Sequence, residues 1–69
     1  MKVTYAETIR WAIRHLETIH AEYAEKAAQA QAAGSSEMET YLIGEANRIA
    51  ETMDTLAQLH RIETGVDPQ

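Results

Sequence analysis

No cysteine occurs among the 69 residues, which removes disulfides and thiolate metal sites from consideration. No apolar run approaches the roughly 20 residues that a membrane span needs. The opening MKVTYAETIR also lacks the apolar core that follows the lysine of a signal peptide. Basic residues are scarce: six Lys and Arg stand against eleven Asp and Glu, for a formal charge of −5. That balance argues against tight binding of duplex nucleic acid through the overall field. The three glycines are scattered and form no phosphate-cradling loop. These absences predict a cytoplasmic chain, off the membrane, with no cofactor and no metal. A chain this short buries only about 60% of its unfolded surface. With no covalent staple available, self-association is the expected stabiliser.

What is present reads as two helices. The first opens at TYAE, where Thr4 and Glu7 have the spacing of a capping box and Glu7 suits the positive end of the helix dipole. It runs through the alanine-rich KAAQAQAAG to Gly34, a residue suited to a left-handed C-terminal position. The second opens at SEME, with Ser36 and Glu39 as a second capping box, and ends before Gly65. The expected elements are a helix over about 5–33, a turn over 34–36 and a helix over about 37–64, followed by a short tail. So short a connection folds the helices back antiparallel. The fold class is therefore all-α: a single helical-hairpin domain over residues 1–69, in which facing residues have numbers that sum to about 70.

Each helix carries an apolar stripe in a four-three spacing. Ala6, Ile9, Ile13, Leu16, His20, Tyr23, Ala27 and Ala30 form it on the first helix, widened by Tyr5, Ala12 and Ile19. Leu42, Ala46, Ile49, Met53, Leu56 and His60 form it on the second, widened by Met38, Ala50, Ala57 and Leu59. Both stripes are broader than a two-helix contact covers. The expected partner is the chain itself, as a homodimer or higher homo-oligomeric helical bundle. Its oligomer core would comprise Ile9, Ile13, Leu16, His20, Tyr23, Leu42, Ile49, Met53 and Leu56.

Charge divides the hairpin into two ends. Seven glutamates over residues 17–53 face only Lys26 and Arg48, which accounts for the whole charge of −5. The terminal end is formally neutral and holds Arg10, Arg14, Arg61, His15, His60 and Trp11. At 100° per residue, Trp11 points roughly 140° away from the centre of the apolar stripe. It is available as a partly exposed residue, a subunit contact or a ligand contact. Indole offers a stacking face, and guanidinium a planar fork for phosphate or carboxylate.

Catalytic patterns are thin. Glu17 and His20 have the Glu-x-x-His spacing of carboxylate-bridged metal bundles, but the facing positions Ile49, Ala50 and Met53 offer no ligand. His20 is instead expected to be a core residue bonded to a neighbour. Ser35 and Ser36 are accounted for by capping, and no histidine accompanies them. Gly44 either permits a close backbone approach or is tolerated at a cost of about 1 kcal/mol.

A non-enzymatic binding protein is therefore expected. Its ligand site would join Arg10, Trp11, Arg14, His15, His60 and Arg61 between subunits, where symmetry multiplies positive charge around a nucleotide-like anion. In form the hairpin resembles the small helical-hairpin sponges with which phages sequester nucleotide immune signals. That resemblance implies nucleotide sequestration and a phage origin. Two further expectations come from other classes. One is an adaptor or inhibitor that docks an exposed helix face on a host protein. The other is RNA binding, since size and topology are also similar to the Rop-like RNA-binding hairpins that form four-helix dimers.

Overall fold

The computed structural model describes residues 5–66 and residue 68, so Thr4 of the first expected capping box lies outside the described residues. Two helices, α1 (Tyr5–Ala32) and α2 (Ser36–Thr64), pack against each other along a molecule about 50 Å long. Both begin and end within one residue of the expected bounds.

The turn is built by backbone geometry. Gly34 has φ 77°, the left-handed conformation that a Cβ disfavours. Beside it, Ser35 N–H donates to the Ala30 carbonyl at 2.9 Å and Gly34 N–H to the Gln31 carbonyl at 3.1 Å. This six-to-one and five-to-two pair is a Schellman motif, and it satisfies carbonyls that the end of a helix leaves without partners. The start of α2 differs from expectation. Ser35 holds the capping position, with φ −93° and ψ 84°, and its side chain makes no capping bond. Ser36 already belongs to the helix, so the Ser36–Glu39 capping box does not form. The physical reason is conformational: a capping residue must stand outside helical φ/ψ, and only Ser35 does.

α2 closes with Gly65 at φ 79°, whose N–H reaches the Arg61 carbonyl. This single five-to-one bond is the simpler left-handed cap. Arg61 in the last turn also complements the negative end of the helix dipole.

Between the helices the packed seam is thin. The buried apolar residues are Ala6, Ile13, Ala27, Ala30, Leu42 and Ala46, so alanine supplies four of the six. Tyr23 packs on the cluster of Ala27, Ala30 and Leu42 near the turn. Of the nine residues expected in an oligomer core, Ile13 and Leu42 are buried, while Ile9, Leu16, His20, Tyr23, Ile49, Met53 and Leu56 are half-buried. A two-helix contact covers their inner sides and leaves their outer sides in solvent.

The seam separates two unlike flanks. One carries three hollows, lined mostly by polar and small side chains, among them Arg10, Arg14, Glu17, Ala24, Asn47 and Asp54, together with Ile13, Ile43 and Met53. Helical geometry puts Tyr5, Ala12, Ile19 and Lys26 on the other flank of α1, and Met38, Glu45, Thr52 and Leu59 on the other flank of α2, each at seven-residue intervals. Gly44 faces open space: a Cβ built there meets nothing within 4 Å. No close approach of backbone accounts for it.

Candidate functional site

The six residues expected to line one site are distributed over three places. His60 is the most enclosed side chain among the described residues, at 1% exposure. Its Nε2 lies 3.3 Å from Arg10 Nη1, and its Nδ1 lies 2.9 Å from the Val66 carbonyl oxygen. A guanidinium can only donate, so Nε2 accepts; Nδ1 then carries the proton and donates to Val66. The Thr64 hydroxyl closes the cluster. It donates to the His60 carbonyl at 2.8 Å and accepts the Val66 N–H at 3.2 Å. With both ring nitrogens engaged and no access to solvent, His60 is a structural residue. Within one hairpin it therefore lies inside the seam, apart from the surface where the other expected ligand residues stand.

The Arg10–His60 bond also sets the register. Residues 10 and 60 face each other as the short turn requires, and the left-handed Gly65 carries Val66 back over the imidazole. Thr64 and Val66 were not foreseen as parts of this cluster. Gly65 signals a helix end in the sequence, but nothing there signals that the following carbonyl returns to a histidine.

Trp11 and His15 occupy a second place, on the outer surface of α1. Their rings lie parallel, 3° apart in tilt with centroids 5.7 Å apart. Trp11 is 68% exposed, so the pair forms a flat aromatic plate open to solvent. It lies away from the seam and outside all three hollows.

Arg10, Arg14 and Arg61 form the third place. Arg10 and Arg14 line a hollow of about 290 Å³ together with Ile13, Glu17 and Pro68. A wider hollow of about 490 Å³ shares Ile13, Glu17 and Pro68 and adds Arg61, Asp54, Met53 and Ala57. The two hollows adjoin through these shared residues on the polar flank. Arg10 is half-buried and committed through one nitrogen to His60, which leaves its other donors toward the hollow. Arg14 is exposed and makes no side-chain ion pair among the described residues. The tail contributes Pro68 to both rims, a residue that sequence reasoning had not included.

His20 also departs from expectation. It is half-buried, makes no hydrogen bond among the described residues, and lines a hollow of about 330 Å³ near the turn with Ala24, Ala28, Ile43 and Asn47. Among the described residues, no three His, Asp or Glu side chains are grouped so as to hold a metal ion. Among the same residues, no helix is long and apolar enough to cross a membrane. No protein-family model, curated protein or solved structure matches the chain.

Proposed function

We propose that this chain is a non-catalytic, self-assembling binding protein that takes a small anionic, nucleotide-like ligand in the hollow of its polar flank. The observation that carries the reading is the convergence of Arg10 and Arg14 on one hollow, with Arg61 on the hollow beside it. Guanidinium forks suit phosphate oxygens. Glu17 and Asp54 lie on the same rims and can accept hydrogen bonds from the amino groups that nucleobases carry. No paired nucleophile and base accompany these groups, so the chemistry supported is retention of a ligand rather than its conversion.

Thermal-shift measurements with inorganic phosphate and with mono-, di- and cyclic nucleotides test the reading. One of these ligands should raise the melting temperature, and Arg14→Ala should remove most of the rise. Indifference of the melting temperature to every anion would overturn the proposal.

A second reading follows from the Trp11–His15 plate. A parallel aromatic pair this exposed suits a protein-interaction surface of an adaptor or inhibitor, since tryptophan is enriched at binding hot spots. The two readings separate cleanly. Trp11→Ala should leave anion binding unchanged in the first and abolish recovery of a partner protein in the second.

A further inference from the structure

The flank opposite the hollows is apolar for most of its length. Tyr5 at 75% exposure, Met38 at 51% and Leu59 at 48% stand beside the uncovered outer sides of Leu16, Ile19, Ile49 and Leu56. A face 50 Å long and two helices wide offers on the order of 1,000 Å², above the about 800 Å² per partner of a standard stable interface. The two charged side chains in its turn half are complementary. Lys26 lies over the Tyr23 ring, 5.8 Å from its centroid, and has no carboxylate partner among the described residues. Glu45 is half-buried and holds only a long 3.8 Å contact with the exposed Arg48. Thr52, between them and the open end, has its hydroxyl bonded to the Arg48 carbonyl at 3.0 Å, so it adds no unsatisfied donor to the face.

We propose that a second copy of this chain covers this face, with the two turns at the same end and a two-fold axis along the bundle. Such an axis sets α1 of one copy against α2 of the other at equal height. With facing numbers summing to about 70, Lys26 then meets Glu45 of the second copy, and by symmetry Glu45 meets its Lys26. Ala12 meets Leu59 and Ala33 meets Met38, small against large as dense packing prefers. Turns at opposite ends would instead lay α1 on α1, placing Lys26 against Ala12 and Glu45 against Leu59, a charge on an apolar side chain each time. The inference names the self-assembly face of the proposed binding protein and leaves its anion hollow on the outside of the dimer.

Sedimentation of the full chain should give twice the 7.7 kDa chain mass at micromolar concentration. Lys26→Glu should weaken the dimer about tenfold, because each dimer carries the contact twice. Adding Glu45→Lys to that variant should restore it. The chain has no native cysteine, so single-cysteine variants report alignment directly. Mixed Ala12→Cys and Leu59→Cys chains should crosslink to one another. A monomer at 100-fold higher concentration, with helicity intact by circular dichroism, overturns the proposal, as does efficient self-crosslinking of Ile19→Cys, which only opposite-end pairing brings together. Failure of the anion reading is distinguished by Arg14→Ala: it should lose anion binding and keep the dimer mass, whereas Leu59→Glu should do the reverse.

Discussion

Individual residues carry unequal weight in so thin a core, and His60 carries the most. Its imidazole joins α1 through Arg10, the last turn of α2 through Thr64, and the tail through Val66. Truncation leaves an empty volume at a site with 1% exposure and removes the imidazole's bonds to Arg10 and to the Val66 carbonyl. His60→Ala should therefore cost about 2–4 kcal/mol in chemical denaturation, combining cavity and lost-partner terms. Nitrogen NMR should find the proton on Nδ1, the tautomer that the donor-only guanidinium imposes; a proton on Nε2 would contradict the cluster. Gly44 offers the opposite case. It sits inside α2 with open space where a Cβ would project, so Gly44→Ala should stabilise the chain by about 0.5–1 kcal/mol through helix propensity alone. A loss of stability there would mean that another molecule approaches the backbone.

At the level of elements, the turn depends on the left-handed Gly34 and the two bonds that wrap it. Gly34→Ala should lower stability by about 1 kcal/mol or more, because an L side chain resists that φ, and thermal melting should register it. The helices themselves were legible in the sequence. The four-three spacing of Ile9, Ile13 and Leu16 against Leu42, Ile49 and Met53 leaves little choice of element, and a three-residue connection leaves little choice of register. The point where α2 begins was less legible, since Ser35 and Ser36 are equally good capping residues by type and only their backbone angles separate them. The candidate site was legible in part. Arg10, Trp11, Arg14 and His15 share one end of the hairpin, but steps of 100° turn the arginines toward the hollow and the aromatic pair away from it. His60 fits both the apolar stripe and a cationic site by residue type. Its burial follows from Gly65 turning the tail over it, a tertiary event that spacing does not encode.

For the whole molecule, the governing fact is that one hairpin leaves the outer sides of its apolar stripes in solvent. Alanine dominates the buried set, and seven of the nine residues expected in an oligomer core keep a side in solvent. If a second copy supplies the missing cover, association adds to the stability of the folded hairpin, and the melting temperature must depend on protein concentration. The size of the effect follows from the unfolding enthalpy. At about 0.7 kcal/mol per residue near 60 °C, two chains of this length absorb on the order of 100 kcal/mol, so each tenfold increase in concentration should raise the melting temperature by about 5 °C. Leu59→Glu sets a charge on the apolar face near its open end, at a position that a lone hairpin leaves exposed. It should lower the melting temperature and flatten its concentration dependence while barely changing the helix signal of the folded chain. Wild-type melting that stays constant from about 5 to about 500 µM, a range that spans ordinary dimer affinities, would show instead that the hairpin folds alone, and that its thin seam and two glycine caps suffice.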